Sequence, residues 1–368
     1  MRVVICGGGV IGASIAYFLS QRGARPIVVE RTGVACAASG KSGGFLALDW
    51  CDGTLLADLA RRSFHLHERL AQSIERDWGY RRLTTYAGHV TARATRAAGD
   101  RRDVLPWLST AVNLGHRLGS PQTTAQVNPG PFAAALMAAA VAQGGELRLG
   151  TVRGLVRDGA HLKGVDVDGE VIAADAVVIA MGPWSVLAAQ WLPLPPVFGL
   201  KGHSLIFDTG AAVPAEALFL EYEERGGGLQ SPEVFPRADG TTYVCAISSE
   251  SPLPLDPAGV GPDPGAIERL EEICRHLSPI LAKAPIVARQ ACFRPVTEDG
   301  LPLIGPVPGL DRIYVATGHS VWGILNAPAT GEALADMLLD GAAGHVDLSA
   351  FDPGRLPALD PKRLNIHA

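Results

Sequence analysis

The 368-residue sequence predicts an α/β fold, in which a Rossmann-like dinucleotide-binding domain is joined to an α+β domain with a mostly antiparallel sheet. Three observations support this prediction. A glycine-rich turn follows the first apolar segment, strand-like segments fill residues 197–294, and the chain is long for a single core. Since domains run to roughly 150 residues, two are expected.

The first thirty residues, MRVVICGGGVIGASIAYFLSQRGARPIVVE, have the pattern of a strand, a helix and a second strand. Residues 3–6 form a short apolar run that is typical of a buried parallel strand. Residues 13–20 are compatible with a helix, and Gly23 suits the end of that helix. Residues 26–29 predict the second strand, which closes on Glu30.

Three glycines at the predicted strand–helix turn match G-x-G-x-x-G. The first makes the tight turn, the second lets a diphosphate approach the backbone, and the third lets the helix pack closely. The helix N-terminus offers free N–H groups, and Glu30 can accept hydrogen bonds from ribose hydroxyls. An acid here favours an unphosphorylated ribose, and therefore FAD or NAD rather than NADP. The residues expected around the dinucleotide are Gly7, Gly9, Val10, Ile11, Gly12, Glu30 and Arg31.

Apolar periodicity predicts further elements along the chain. Residues 54–78 have the pattern of an amphipathic helix, and residues 131–142 that of a helix of small residues. Residues 233–247 contain an Asp-Gly pair between strand-like segments, which predicts a hairpin. Residues 266–277 predict another helix after a loop rich in proline and glycine.

Three later blocks of sequence resemble a known family. They are ACAASGKSGGFLALDWCDG (35–53), ADAVVIAMGPWS (174–185), and CFRPVTEDGLPLIGP (292–306) with RIYVATGHSVWGILNAPATGEALADML (312–338). Together with the opening segment, and in this order, they resemble the FAD-dependent family of D-amino-acid oxidase, glycine oxidase and monomeric sarcosine oxidase. The matches extend to about residue 340, and the SGKSGGF wording is similar to a little-characterised branch.

The resemblance implies a discontinuous FAD-binding domain of the glutathione-reductase type with an inserted substrate domain. We assign residues 1–82, 128–196 and 295–368 to the FAD-binding domain. Residues 83–127 and 197–294 are assigned to the substrate domain, whose mostly antiparallel sheet is expected to cover the flavin. The further cofactor-binding residues that the resemblance implies are Ser39, Lys41, Ser42, Gly43, Gly44, Val152, Gly182, Trp184, Gly318, His319, Gly323 and Ile324.

Three residues are candidates for the catalytic site: Arg294, His319 and Trp322. A guanidinium can hold a carboxylate through two hydrogen bonds, and the arginine of a similar Arg-Pro pair does so in the amino-acid-oxidising relatives. His319 is expected to pack and form hydrogen bonds near the flavin. Trp322 stands near the position where sarcosine oxidase carries a cation, and one residue after the arginine of glycine oxidase. It is either a wall for stacking or part of the core.

Cys292 resembles in position the cysteine that carries covalent flavin in monomeric sarcosine oxidase, although FRPVT departs from that enzyme's wording. A single cysteine in a strand is otherwise a small buried apolar residue. We therefore expect the FAD to be bound without a covalent link.

The expected reaction oxidises the C–N bond of a small amine or amino acid (D-amino acid, glycine or N-methyl type) to an imine, by hydride transfer to flavin N5. The chain would then be an FAD-dependent amine or amino-acid oxidase or dehydrogenase, with dioxygen or a partner protein as electron acceptor. Two alternatives remain at this point: a flavin-containing regulatory protein or partner-dependent subunit, and an NAD-dependent dehydrogenase. The substrate, its chirality and the oligomeric state stay open.

Composition argues against several other classes of protein. The net charge is -5 without a long basic run, so no nucleic acid is expected, and no cysteines have C-x-x-C spacing. Residues 176–200 carry no charge before Lys201, but prolines interrupt them, so no membrane span is expected. His65 and His67 share no helix face and are expected on the solvated side, with no metal site. The chain opens without a signal-peptide pattern, which predicts a cytoplasmic protein.

Overall fold

The structure is a computed structural model that describes residues 1–91, 105–224 and 226–364. Three predicted segments therefore extend partly outside the described residues: 83–127 and 197–294 of the substrate domain, and the final segment 295–368. Twenty strands and six α-helices are found in the described ranges. The strands are β1 (Val3–Cys6), β2 (Ile27–Glu30), β3 (Phe45–Ala47), β4 (Arg81–Arg82), β5 (Thr84–Thr91), β6 (Val112–Gly119), β7 (Thr124–Gln126), β8 (Glu146–Leu149), β9 (Val152–Asp158), β10 (His161–Val167), β11 (Glu170–Ala173), β12 (Ala176–Ile179), β13 (Phe198–Asp208), β14 (Glu216–Glu223), β15 (Leu229–Gln230), β16 (Glu233–Pro236), β17 (Thr241–Ser249), β18 (Ile286–Val296), β19 (Leu303–Pro306) and β20 (Ile313–Thr317).

The helices pack on these strands and connect them. The α-helices are α1 (Val10–Gln21), α2 (Ala38–Lys41), α3 (Ala57–Ser73), α4 (Pro129–Ala142), α5 (Ala266–Leu277) and α6 (Gly323–Asp340). Short 3₁₀ helices are Gly182–Gln190, Pro257–Gly259, Ser320–Trp322, Ser349–Phe351, Pro353–Arg355 and Pro361–Arg363.

A six-stranded sheet forms the Rossmann-like part, in the order β19-β20-β12-β1-β2-β8. All of its pairs are parallel except β19–β20, which is antiparallel. β1 and β12 are buried along their whole length, as parallel strands covered on both faces should be. Helices α1, α3, α4 and α6 contribute to the main core beside this sheet. The predicted strand–helix–strand opening and the predicted α/β class are confirmed.

The second large sheet has eight strands in the order β18-β13-β17-β16-β14-β5-β6, with β15 paired to β14. Its pairs are antiparallel apart from β14–β5. The predicted hairpin is present, because β16 and β17 pair across the turn that contains Asp239 and Gly240. Helix α5 covers one face and encloses a second core. The mostly antiparallel sheet expected from residues 197–294 is therefore present, and the domain boundaries themselves stay a prediction.

Helix α3 is shorter than the sequence pattern suggests. The pattern extends over residues 54–78, whereas the helix covers Ala57–Ser73. Ile74 adopts an extended backbone, and the chain then brings Trp78 into the core beside Phe132, with 5.5 Å between the ring centroids. Burial of Trp78 against the next helix therefore outweighs the propensity of these residues to continue α3.

The expectation that His67 faces solvent is wrong. Pro328 lies inside α6 and has no N–H to donate to the Ile324 carbonyl one turn earlier. His67 Nε2 lies 3.0 Å from that carbonyl oxygen and 3.2 Å from the oxygen of Leu325. Ser63 Oγ accepts the N–H of Ala329 at 2.9 Å. His67 therefore satisfies the carbonyl that the proline leaves unpaired, while Ser63 accepts the next N–H of α6, and His67 is fully buried.

Residues 176–200 form a buried strand, a turn and a 3₁₀ helix before a proline-rich exit, as predicted. In the described part of the chain, every helix is too short or too polar to cross a lipid bilayer.

Candidate active site

A cleft of about 380 Å³ lies where the parallel strands end and faces the antiparallel sheet. The segments after β1, β12 and β20 form one side, and residues of β13, β16, β17 and β18 form the other. Ligands of open parallel sheets bind beyond the carboxyl ends of the strands, and the cleft lies at this edge.

The glycine-rich turn forms the floor of the cleft. Gly7 has φ +112°, and a Cβ at this position would lie 2.4 Å from the Ala180 carbonyl oxygen. A Cβ at Gly12 would lie 2.0 Å from the Gly7 carbonyl oxygen, so neither position accepts a side chain. A Cβ at Gly9 would meet only the Ser39 hydroxyl within 4 Å, at 3.1 Å. Because Gly9 has no side chain, the volume that a side chain would fill is open toward the cleft.

Glu30 is held by backbone donors around its carboxylate. Oε2 accepts the N–H of Gly8 at 2.7 Å, and Oε1 accepts the N–H groups of Thr32 at 2.8 Å and Gly33 at 3.3 Å. A carboxylate has about four acceptor sites, so one stays available on Oε2 for a hydroxyl. The strand end and its turn fix the orientation of this acid.

The segment around α2 lies against the N-terminus of α1. Ser39 Oγ accepts the N–H of Val10 at 2.9 Å, which leaves its own O–H proton free to donate. The Ser42 carbonyl accepts from Arg237 Nη2 at 3.1 Å. A Cβ at Gly43 would lie 2.3 Å from the Phe235 ring, so the antiparallel sheet packs directly on this segment.

Two predicted cofactor residues hold a loop at the cleft. The indole N–H of Trp184 donates to the Pro254 carbonyl at 2.7 Å, and Arg31 Nη1 donates to the Leu255 carbonyl at 2.8 Å. Pro257 of the same loop lines the cleft. The indole N–H of Trp184 and an N–H of the Arg31 guanidinium thus donate to protein carbonyls, and they join this loop to the nucleotide side of the cleft.

His319 lies at the other end of the cleft, just after β20. Its Nε2 is 3.1 Å from Thr330 Oγ1, and its buried Nδ1 has no partner among the described residues. Burial lowers the pKa of His319 to about 3, so the ring is neutral near pH 7. A neutral imidazole ring offers one hydrogen-bond donor and one acceptor, and it carries no additional proton that it could give to a base.

Arg294 of β18 reaches across the sheet toward β17. Its Nη2 donates to Ser248 Oγ at 2.8 Å, and a Cβ at Gly202 of the intervening strand would lie 2.9 Å from Nη2. The absence of a side chain at Gly202 therefore makes room for the guanidinium. Arg294 lines the cleft and retains further N–H donors for a bound anion.

The sequence interpretation missed Glu233, a cleft residue on β16. Burial raises the pKa of its carboxyl group, and the charge of Arg294 opposes that shift. Cys245 Sγ lies 3.5 Å from Oε2. The only signal in the sequence was an acid within the apolar run of a predicted strand, which does not show which face it occupies.

Most of the predicted site residues line this one cleft. Those that do are Gly7, Gly9, Val10, Ile11, Glu30, Arg31, Ser39, Ser42, Gly43, Val152, Gly182, Trp184, Arg294, His319, Gly323 and Ile324.

Five predicted site residues lie outside the cleft lining: Gly12, Lys41, Gly44, Gly318 and Trp322. The three glycines permit close packing instead: a Cβ would lie 2.0 Å from the Gly7 oxygen, 2.1 Å from the Val127 oxygen and 2.7 Å from Thr297 Cγ2, respectively. Lys41 ends α2. Trp322 packs against the main core, which favours the core alternative over a wall for stacking.

The cleft fits a flavin dinucleotide on three grounds. The space at Gly9 is open above a helix N-terminus, as a diphosphate requires. The fixed Glu30 carboxylate keeps one acceptor for a ribose hydroxyl. The buried Nδ1 of His319, which follows β20 three strands away from β2, has no partner among the described residues and needs a polar one.

Comparisons with known proteins agree with this architecture. A family model described as FAD dependent oxidoreductase matches residues 2–337. The chain is 30% identical to a Schizosaccharomyces pombe protein named as an oxidoreductase without a stated substrate, over 96% of this chain and 97% of that protein. It is 28% identical to glycine oxidase of Pseudomonas aeruginosa, over 96% of this chain and 99% of the enzyme.

A solved structure of glycine oxidase from Geobacillus kaustophilus superposes with a TM-score of 0.79 at 27% identity, covering 96% of this chain and 98% of that one. The resemblance stated from sequence blocks is thereby confirmed, and the cofactor is FAD rather than NAD. The chain belongs to the FAD-dependent oxidoreductase (DAO) family.

Proposed function

We propose that this chain is an amine or amino-acid oxidase or dehydrogenase that oxidises the C–N bond of a small amino acid to an imine. The observation that carries the proposal is the position of Arg294. Its guanidinium lines the same cleft as the glycine-rich turn and His319, and it uses one of its five N–H groups on Ser248. A planar cation with free donors is suited to a carboxylate.

The residues of the cleft bind and orient the substrate. Arg294 would bind the substrate carboxylate, which fixes the position of the α-carbon and its C–H bond. Tyr243 is buried beside Phe235 and excludes water from the wall of the cleft. When bound, FAD supplies the acceptor for the hydride that leaves the α-carbon. The neutral ring of His319 would form a hydrogen bond without adding charge.

The test is an anaerobic titration of the yellow holoprotein with glycine, sarcosine, and D- and L-amino acids. Loss of the oxidised-flavin absorbance identifies the substrate class. Arg294→Ala should raise the KM for the identified carboxylate substrate by about 30- to 160-fold, since a charge-assisted pair contributes about 2–3 kcal/mol. Unchanged kinetics would remove Arg294 from the site.

The main alternative is a flavin-containing regulatory protein or a subunit that needs a partner. It predicts a yellow protein whose flavin no amine or amino acid reduces anaerobically. Reduction by dithionite but by no member of the substrate panel would favour this alternative.

A further inference from the structure

We propose that Glu233 binds the amino group of the substrate opposite Arg294 and accepts its proton, so that the substrate is a zwitterionic α-amino acid and not a simple amine. This inference rests on the proposed function. It assigns to a residue of the same cleft a role that neither the motifs nor the family resemblance suggested.

The strand order brings the two charges to one face of the antiparallel sheet. β18, β13, β17 and β16 are successive neighbours, so Arg294 and Glu233 lie on the first and the fourth strand. The Arg294 guanidinium crosses Gly202 on β13 and reaches Ser248 on β17. Glu233 pairs with Cys245 of that same strand. Both side chains line the cleft.

The gap between these two groups suits an amino acid. Ser248 and Cys245 of β17 pair with Gly202 and Ser204, which are only two residues apart on β13. A bulge in β17 therefore keeps both residues on one face of the sheet, about 7 Å apart along the strand. Among the ion pairs of the described residues, none joins Arg294 to Glu233, so the two charges are separated. Two hydrogen bonds of about 2.9 Å with an amino acid between them span a gap of this order.

Among the residues that the structure describes, Glu233 has no strong hydrogen-bond donor. Its polar neighbour is the Cys245 thiol, a weak donor at 3.5 Å from Oε2. The ionisable groups that face it are Arg294 on β18 and Cys245 and Tyr243 on β17, while its partner on β14 is the apolar Phe219. A buried carboxylate without donors is unfavourable, and a substrate ammonium supplies them.

The proton transfer is balanced. The ammonium N–H bond breaks, an O–H bond forms on Glu233, and the nitrogen keeps the electron pair as a neutral amine. That lone pair can then assist departure of the α-hydrogen as a hydride. Because burial raises the pKa of the Glu233 carboxyl group, its carboxylate is a better proton acceptor than an exposed glutamate.

The test compares the wild-type holoprotein with Glu233→Gln, Glu233→Asp and a matched control, Glu221→Gln, which alters an exposed glutamate of the same sheet. Propionate, which has the carboxylate but no amine, and methylamine, which has the amine but no carboxylate, serve as probes. Binding is followed through the perturbation of the flavin spectrum, and turnover through anaerobic bleaching across pH.

For Glu233→Gln we expect the KM of the amino acid to rise by about 10- to 100-fold while the Kd of propionate changes less than about twofold. The acid limb of kcat/KM should be absent in Glu233→Gln and present in Glu233→Asp and Glu221→Gln. Arg294→Ala should weaken both ligands. Methylamine should not bleach the wild type.

The outcomes separate the two proposals. If no amino acid bleaches the wild-type flavin, the proposed function fails. If amino acids do bleach it and Glu233→Gln keeps the wild-type KM and pH profile, only the role of Glu233 fails. Efficient turnover of methylamine would overturn the zwitterion requirement. If Glu233→Gln loses its flavin, Glu233→Asp decides, because its shorter side chain must raise the KM of the amino acid without changing the Kd of propionate.

Discussion

The Arg294 guanidinium lies against the bare backbone of Gly202, where a Cβ would stand 2.9 Å from Nη2. Gly202→Ala should therefore displace the guanidinium and raise the KM of a carboxylate substrate about tenfold, since small misplacements of a binding group are costly. Gly115→Ala is the control, because a Cβ there meets its nearest atom at 3.7 Å, an ordinary contact. A KM unchanged in Gly202→Ala would mean that the guanidinium does not need this position.

The FAD is expected to be released by acid. Burial raises the pKa of the Cys292 thiol, which disfavours the thiolate that would attack a flavin. Precipitation of the holoprotein with trichloroacetic acid should leave the yellow colour in the supernatant. A yellow pellet from the wild type and a colourless one from Cys292→Ser would instead assign a covalent link to this residue.

His67 and Pro328 should be energetically coupled. His67→Leu leaves the Ile324 carbonyl without its partner, which should cost about 1–3 kcal/mol of unfolding free energy. In the Pro328→Ala background the new N–H can reach that carbonyl, so the cost should be smaller by about 1 kcal/mol. Denaturant unfolding of the four proteins measures the difference.

The matched control for this double-mutant cycle of His67 and Pro328 is His65→Leu, which alters an exposed histidine of the same helix. Its effect should add to that of Pro328→Ala without coupling. Strict additivity of His67→Leu with Pro328→Ala would show that the histidine does not compensate for the proline.

His67 should also make the protein sensitive to acid. Burial lowers its pKa from 6.5 to about 4, so between these values the unfolded chain binds a proton that the folded chain does not. Stability should therefore fall as the pH drops through this window, by about 1.4 kcal/mol per pH unit for one group.

The measurement is unfolding free energy at several pH values between these limits, at saturating FAD. His67→Gln should reduce the slope of unfolding free energy against pH by the contribution of one proton, whereas His65→Gln should leave that slope unchanged. Equal slopes in the wild type and His67→Gln would contradict the buried neutral state of His67.

The nucleotide half of the site could be predicted from sequence because its parts are close along the chain. The strand, the turn at Gly7 and Gly9, the helix and Glu30 lie within thirty residues, and backbone geometry relates them directly. The blocks around Ser39 and His319 came from a resemblance, and the structure brings them to the same cleft. Their binding roles stay predictions.

Other predictions were wrong because the features they concern depend on contacts between distant segments of the chain. Helical periodicity assigned residues 54–78 to one helix and His67 to its solvated face. The packing of Trp78 instead decides where the helix ends, and the unpaired carbonyl of Ile324 before Pro328 decides that His67 is buried. Neither partner is visible from the sequence of α3 alone.

The sequence by itself determined the α/β class, the dinucleotide turn and the presence of an Arg-Pro pair, because such features depend on neighbouring residues and local backbone geometry. Only the tertiary structure decided that Arg294 reaches over Gly202 and lines the same cleft as Glu233. These residues come from separate strands, and shifting any strand by one residue would turn its side chain to the other face of the sheet. Pairing register, set by the packing of the whole sheet, therefore decides which side chains of this sheet line the cleft.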